Sequence, residues 1–254
     1  MLHVERVGFM FYQKRINAKI KFFGMFYSKA SLEKCDAILA TYNSFYSNLS
    51  DKQKQQFQIR TLTFLNSTNF YSDDNFNLTK SKKIIISSAF AQITFGLNFF
   101  GFLIFKDIHI TPRSYSYAHS DDLYDGDVNL FTKRVNMSWP AIKSGFEIPD
   151  DALNLCIHEF GHCLYFENLK RSYTRSIFKR KYFYQWKSQA EIKMEKINNH
   201  KNELLRDYGG TNLVEFFSVA LESFYEQSIV FKEKEPELYT SMTKLLNFDP
   251  IQFN

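Results

Sequence analysis

The chain has 254 residues, 44% of them hydrophobic, and a formal net charge of +5 at pH 7. This length and apolar content suffice for a large core, which argues against a disordered chain. The modest charge, without a recognised motif, argues against a dedicated nucleic-acid binder, so we expect no nucleic-acid partner. Three cysteines are too few for a disulfide framework and suit a reducing compartment. We expect Cys156 and Cys163 to be packing residues.

Residues 1–48 mix aromatic, aliphatic and basic side chains, and we interpret them as an N-terminal helical arm on a domain of residues 49–254. The early apolar run from Val7 is only six residues long, and Lys14 follows soon after it. Such a run is too short for an export signal, so we predict a cytoplasmic protein. The favoured interpretation is that the arm packs on the neighbouring domain. Binding to a membrane surface or to a partner is the alternative for a basic amphipathic segment.

The stretch 84–105 contains no charged residue over 22 positions, which is long enough to span a bilayer. Polar residues interrupt it, however, and Gly96 predicts a break. The pattern therefore predicts a buried helix near 84–96 and a strand near 102–111, without a membrane span. The polar stretch 66–77 before it is predicted to be a loop.

Residues 128–139 are rich in strand-forming residues and end at a proline, which predicts a second strand. At a sheet edge, this strand could pair with the backbone of a peptide. The acidic stretch 121–127 resembles a calcium loop, but Leu123 stands at a ligand position and Thr132 stands where a bidentate glutamate is required. We therefore predict a tight turn there.

The pattern HEFGH at 158–162 contains two histidines four residues apart. On a helix, His158 and His162 share one face, so both imidazoles can bind the same metal ion, with Glu159 beside its open side. A proline and an aspartate before an apolar run predict that this helix covers 150–168. The alternative is a core helix whose two histidines are only hydrogen-bonded.

The segment 168–206 is basic, with eleven Lys or Arg residues and three acids. A solvated helical face is the usual explanation of such a segment. A docking surface for an acidic partner is the alternative.

A catalytic zinc site usually has three protein ligands and a water molecule, so a second helix must supply the third ligand. A glycine pair followed by apolar periodicity predicts a helix near 211–228. Glu215, Ser218, Glu222 and Glu226 fall on one stripe of this helix, and the simplest interpretation of the stripe is the solvated side of an amphipathic helix. From residue types alone, Glu215 is no better a ligand than Glu222.

Three segments together resemble the Mlc titration factor A family of zinc peptidases: the SW and glycine of 138–145, IHEFGH at 157–162, and DYGGTNLVEFF at 207–217. The tail from Leu238 is similar as well, and the resemblance covers about residues 49–250. It implies that Glu215 is the third zinc ligand and that Tyr208 stabilises the oxyanion of the reaction. It also implies a gluzincin, with an active site similar to that of anthrax lethal factor.

The residues and the resemblance together predict an α+β, zincin-like fold. A small, mostly antiparallel sheet would pack on the metal helix and on the helix that carries the third ligand. The predicted function is a zinc-dependent metallopeptidase, aminopeptidase-like on small peptides. In it, His158, His162 and Glu215 hold Zn²⁺, Glu159 accepts a proton from the attacking water, and Tyr208 hydrogen-bonds the oxyanion. The resemblance also implies an alternative, a regulatory protein that binds a transcriptional repressor, and the arm and the basic segment would then be its contact surfaces.

Overall fold

The computed structural model describes residues 2–117, 121–172, 175–201 and 204–253, and it is an α+β protein with a small mixed sheet among many helices. The helices are α1 (Leu2–Gly24), α2 (Lys29–Tyr42), α3 (Ser44–Ser47), α4 (Asp51–Ser67), α5 (Lys80–Ile93), α6 (Trp139–Glu147), α7 (Leu155–Lys170), α8 (Arg180–Asn198), α9 (Leu213–Glu226), α10 (Ser228–Lys234) and α11 (Pro236–Leu246). The strands are β1 (Asn69–Ser72), β2 (Asp107–Thr111), β3 (Gly126–Asn129) and β4 (Arg134–Ser138). A 3₁₀ turn, Asp207–Gly210, precedes α9.

The sheet has the strand order β1-β2-β4-β3. Strand β2 pairs in parallel with both β1 and β4, whereas β3 and β4 pair antiparallel. The predicted mostly antiparallel sheet is therefore wrong, because the sheet is mixed and β2 lies parallel to both of its neighbours. Strand β1 also occupies part of the predicted loop 66–77, and α5 lies in the crossover from β1 to β2, as a parallel pair requires.

The predicted strand 128–139 is in fact a hairpin of two strands, β3 and β4. The side-chain oxygen of Asn129 accepts hydrogen bonds from the backbone N–H groups of Phe131 (3.1 Å) and Thr132 (2.9 Å), which closes a turn. Lys133 completes the turn with a φ of 57°. As a result, β3 lies at the edge of the sheet and β4 in its interior.

Helix α7 lies at the centre of the core, packed against α5 and α9. The ring of Phe160 contacts Phe64 and Phe102, with centroids 5.4 and 5.7 Å apart. The helix begins later than the predicted residue 150, because Ala152 has a φ of 58° and Asn154 is the residue that caps it. The side-chain oxygen of Asn154 accepts from the N–H of Ile157 at 3.2 Å.

The predicted buried helix near 84–96 is confirmed as α5, which ends before Gly96. The chain then turns around the buried Arg60 guanidinium, which donates to the carbonyls of Thr94 (3.0 Å), Leu97 (2.8 Å) and Phe99 (3.1 Å). These bonds satisfy backbone groups that a buried turn would otherwise leave unpaired. Among the described helices, none has the length and apolarity needed to cross a membrane.

Helices α1 and α2 pack against α4, and α2 also contacts α5. Cys35 on α2 is buried in the same core as Cys156 and Cys163, and all three cysteines are free, as expected of packing residues. The middle of the basic segment forms α8, which buries Phe183 and Trp186 on its inner side. Basic residues at both ends of α8 are exposed, as expected of a solvated helical face.

Candidate metal centre

The two histidines of the HEFGH pattern lie on the side of α7 that faces α9. His158 and His162 are buried, and their ring centroids are 4.6 Å apart with the planes nearly perpendicular. With Glu159 they form a group whose potential ligand atoms all lie within 4.8 Å of one another. The structure therefore brings together the three residues that the helical spacing predicted to lie close to one another.

Helix α9 brings Glu215 to the two histidines. The side chain of Asn212 caps the helix by accepting from the N–H groups of Val214 (2.9 Å) and Glu215 (3.0 Å), so Glu215 lies in the first turn. One oxygen of Glu215, Oε2, is 3.2 Å from His158 Nε2 and 3.2 Å from His162 Nε2. The imidazole nitrogens of α7 and this carboxylate of α9 thus point to a common centre.

These distances match what a shared metal ion requires of its ligands. Ligand atoms about 2.0–2.2 Å from a tetrahedral ion lie roughly 3.3 Å from one another. Two imidazoles and one carboxylate also form a donor set that suits zinc and similar transition metals. The side chains of His158, His162 and Glu215 therefore present donor atoms of a suitable kind, and Glu215 presents them at a suitable distance, for a shared metal ion.

The outer nitrogens of the two imidazoles have different partners. His158 Nδ1 lies 3.0 Å from Glu222 Oε2, and a carboxylate can only accept, so this nitrogen carries the proton. His162 Nδ1 lies 3.0 Å from the hydroxyl of Ser218, which donates to the carbonyl of His158 at 2.7 Å and so accepts from His162. Both arrangements place a proton on Nδ1 and direct Nε2 toward Glu215, where a metal ion would replace the proton that hydrogen-bonds His158 to Glu215.

Sequence reasoning considered Glu222 only as a rival third ligand and gave Ser218 no role, with the solvated side of the helix as the simplest explanation of their stripe on α9. The structure shows the opposite, since Ser218 is fully buried and Glu222 is 2% exposed. Arg206, which donates to Glu222, was also missed. The available signal was the spacing: Glu215, Ser218 and Glu222 recur every three or four residues, as one face of a helix does.

The carboxylate of Glu159 is buried beside the histidines, and its Oε2 has no hydrogen-bond partner among the described residues. Burial raises the pKa of Glu159 to about 8, against the opposing effect of the neighbouring His158. The carboxylate fits there because β3 has Gly126 at this point; a Cβ on Gly126 would lie 2.6 Å from Glu159 Oε1. The raised pKa means that Glu159 binds a proton strongly, and the positive charge of a metal ion at the histidines would favour the carboxylate form that a general base requires.

Tyr208 lies in the 3₁₀ turn before α9, at the mouth of the site. Its side chain is 53% exposed, and its ring centroid is 6.1 Å from that of His158. Burial and the neighbouring Glu215 carboxylate, to which it is hydrogen-bonded, raise the pKa of Tyr208 to about 12. The phenol therefore keeps its proton at neutral pH and remains a hydrogen-bond donor.

The electrostatics of the site favour a cation between the side chains. Burial opposes the charged form of His158, but hydrogen bonds to Glu215 and Glu222 outweigh it and raise the pKa of His158 to about 10. Burial likewise disfavours the Glu215 carboxylate, yet its hydrogen bonds with His158 and His162 lower its pKa to about 2. Buried carboxylates stabilise positive charge at this point, and a metal ion supplies such a charge.

Open space flanks the site on two sides. A cavity of about 590 Å³ extends toward Ser114, Pro140 and Leu153, and another of about 450 Å³ extends toward Val128 and Phe166. The cavities share a wall whose members are Gly126, His158, Glu159 and Tyr208. A chain-like molecule therefore has room on both sides of the candidate metal centre.

Comparison with known proteins agrees with this geometry. Residues 25–246 match the sequence model of the family described as glucose-regulated metallo-peptidase M90. The chain belongs to the M90 metallopeptidase family. The family expected from the three sequence motifs is thereby confirmed, and the match includes the metal centre and both helices that carry it.

The M90 family name points to a peptidase with a metal cofactor, which agrees with the donor set on α7 and α9. The chain is also similar to the uncharacterized protein slr2042 of Synechocystis sp., with 23% identity over 230 residues. The similarity covers 85% of this chain and 84% of that protein. The two proteins therefore share most of their length.

Proposed function

We propose that this protein is a zinc-dependent peptidase in which His158, His162 and Glu215 hold the metal. The observation that carries the proposal is the approach of one Glu215 oxygen to both Nε2 atoms at 3.2 Å. Three protein ligands of this kind, beside open cavities, are typical of catalytic rather than structural zinc sites. The alternative of two merely hydrogen-bonded core histidines accounts for the contacts with Glu215, but not for the buried Oε2 of Glu159, which is unpaired within the described part of the chain, or for the open cavities beside it.

The residues around the ligands supply the remaining chemistry of peptide hydrolysis. Bound zinc would act as a Lewis acid that polarises the scissile carbonyl and makes water acidic. Glu159 accepts the proton of the water that attacks the carbonyl carbon, and then delivers it to the leaving nitrogen. Tyr208 donates a hydrogen bond to the oxyanion that forms, since its phenol is protonated at neutral pH.

The edge strand β3 is the proposed binding element for the peptide backbone. Gly126 and Val128 of β3 line the cavities beside the candidate metal centre, and β3 has a sheet partner on one side only. An extended peptide can add to such an edge as a further strand. Aminopeptidase-like cleavage of small peptides stays a prediction, and we expect it to be lost on peptides with a blocked amino terminus.

The test is the variant Glu159→Gln, which keeps the shape of the side chain but cannot accept the proton. We expect it to retain zinc and to lose at least a hundredfold in kcat on peptide substrates, the scale of general base catalysis. Glu147→Gln, an exposed acid at the end of α6 paired with Lys143, serves as the matched control and should leave turnover unchanged. Wild-type rates in Glu159→Gln would contradict the proposed role.

The regulatory alternative, in which the protein binds a transcriptional repressor, stays a prediction, as does the cytoplasmic location. The catalytically inactive Glu159→Gln protein also tests this alternative, because repressor binding would not require the proton acceptor. Capture of a repressor by this variant would support the alternative. The geometry of the site favours hydrolysis as the primary function.

A further inference from the structure

Helix α1 is fixed on the protein by one of its faces. Ile16 is buried on α1, and the ring of Phe23 packs against Phe100 with centroids 5.2 Å apart. The hydroxyl of Tyr12 accepts a hydrogen bond from the N–H of Asn98 at 2.8 Å. These contacts determine which side of α1 faces away from the protein.

The side of α1 that faces away is also apolar. Phe11 and Phe22 are 62% and 52% exposed, and they lie eleven residues apart, which is about three helical turns and therefore the same face. Met25 and Phe26, just after the helix, are 70% and 67% exposed, and the rings of Phe22 and Phe26 contact each other. We call Met10, Phe11, Phe22, Met25 and Phe26 the α1 outer face. Large apolar side chains exposed at both ends of one helical face, with basic residues between them, indicate an interaction site.

The charge on the segment that carries the α1 outer face has one sign. Residues 10–28 contain four Lys or Arg residues and no Asp or Glu. Lys14, Arg15 and Lys21 are exposed on α1 between the aromatic residues. A helix that combines exposed aromatic residues with lysine and arginine is typical of segments that lie in the interface of an anionic bilayer.

We propose that the α1 outer face docks the protein onto the surface of a membrane that contains anionic lipids. The aromatic and methionine side chains would insert at the boundary between headgroups and acyl chains, while Lys14, Arg15 and Lys21 contact lipid phosphates. The charge argues against a second copy as the occupant. In a two-fold contact each copy would bring the same basic side chains, without an acid on this segment to pair with them.

The docking is separate from peptide hydrolysis. Helix α1 precedes residues 25–246, the part of the chain that matches the peptidase family. Its contacts include α4, residues near 98–100 and Lys179, none of which lines the candidate metal centre. Membrane docking would therefore place the peptidase at a surface without changing its site.

The test is flotation of the full-length protein with lipid vesicles. We expect binding to vesicles of phosphatidylcholine mixed with phosphatidylglycerol, weaker binding at high salt, and little binding to phosphatidylcholine alone. In the triple variant Phe11→Ser, Phe22→Ser and Phe26→Ser, the partition coefficient should fall at least tenfold. In the double variant Lys14→Gln and Lys21→Gln, the partition coefficient should fall about fivefold for each charge removed, and only with anionic vesicles.

The matched control is Ile229→Ser with Val230→Ser, which removes two exposed apolar side chains of α10 instead. The control should bind vesicles like the wild type, and Glu159→Gln should do the same, because docking does not depend on turnover. Thermal unfolding of each variant checks that α1 remains folded on α4. Wild-type protein that fails to bind anionic vesicles would overturn the proposal. The proposal would also be overturned if the wild type sedimented as a dimer and the triple variant as a monomer, because the α1 outer face would then join two copies of the chain.

Discussion

The two histidines of the candidate metal centre are equivalent in sequence but not in their surroundings. Each outer nitrogen has a partner at 3.0 Å, yet the partner of His158 is the carboxylate of Glu222 and the partner of His162 is the hydroxyl of Ser218. A carboxylate makes the imidazole a stronger electron donor, whereas a neutral hydroxyl mainly orients the ring. Two histidines of one motif can therefore differ in how strongly they bind a metal ion, because residues on another helix contact their outer nitrogens.

The carboxylate is itself held in place by a second charge. Arg206 donates to the same Glu222 oxygen that contacts His158, and Glu222 is almost fully buried. Ser218, in contrast, uses its proton on the carbonyl of His158, so one hydroxyl touches both histidines. The hydroxyl thus connects the ligands, and the carboxylate strengthens one of them.

Removal of the Glu222 carboxylate should cause the largest loss of zinc affinity among the partners of the histidines. In Glu222→Gln the amide keeps the shape but loses the charge, and we expect zinc affinity to fall tenfold to a hundredfold, the usual range for such partners. The measurement is competition of the purified protein against a chelator of known zinc affinity. Glu235→Gln is the matched control, because Glu235 is also a largely buried acid with a basic partner, Lys193. Equal zinc affinity in Glu222→Gln and in the wild type would contradict the proposed difference between the histidines.

Removal of the Ser218 hydroxyl should cause a smaller loss of zinc affinity. Ser218→Ala eliminates a neutral hydrogen bond, which is typically about 1 kcal/mol, so we expect zinc affinity to fall about fivefold. The same competition experiment measures it. A larger loss in Ser218→Ala than in Glu222→Gln would reverse the comparison and make orientation, rather than charge, the dominant contribution.

The smallest expected effect is on thermal stability, and it comes from the contact between α7 and α9 at Gly161 and Ser218. A Cβ on Gly161 would lie 2.6 Å from the Ser218 hydroxyl oxygen and 3.2 Å from Ser218 Cα. Alanine is the better helix former by about 1 kcal/mol, but crowding costs about 1–3 kcal/mol, so Gly161→Ala should lower the melting temperature by a few degrees. With Ser218→Ala in the same chain, part of this loss should disappear in thermal unfolding, because the contact with the hydroxyl oxygen is removed while the contact with Ser218 Cα remains. Strictly additive losses would show that the two residues do not compete for this space.

Much of the metal centre could be predicted from the sequence because helical spacing determines which side chains share a face. His158, Glu159 and His162 follow from a single helix, and their grouping needs no tertiary information. The choice between Glu215 and Glu222 could not be made from residue types, because both lie on the same stripe of α9. The structure separates them by distance, since Glu215 faces the inner nitrogens of the histidines and Glu222 faces an outer one.

The sheet was harder to predict for a physical reason. Parallel pairing of β2 with β1 and β4 depends on crossovers that carry no local signal in the strands themselves. The division of 128–139 into two strands depends on the Asn129 side chain and on a positive φ at Lys133, which are turn features within a strand-like composition. The polar stripe of α9 could not be recognised as buried from the sequence, because polar residues at helical spacing occur both on a solvated face and in a buried set of metal ligands and their partners.

The central claim is that α7 and α9 together hold one zinc ion, and metal content tests it most directly. Wild-type protein and Glu215→Ala should be dialysed side by side and measured by elemental analysis, with circular dichroism to confirm that both are folded. We expect about one zinc per wild-type chain and a loss or sharp decrease in the variant. Wild-type protein without metal would contradict the account, and zinc held equally by both proteins would contradict Glu215 as the third ligand.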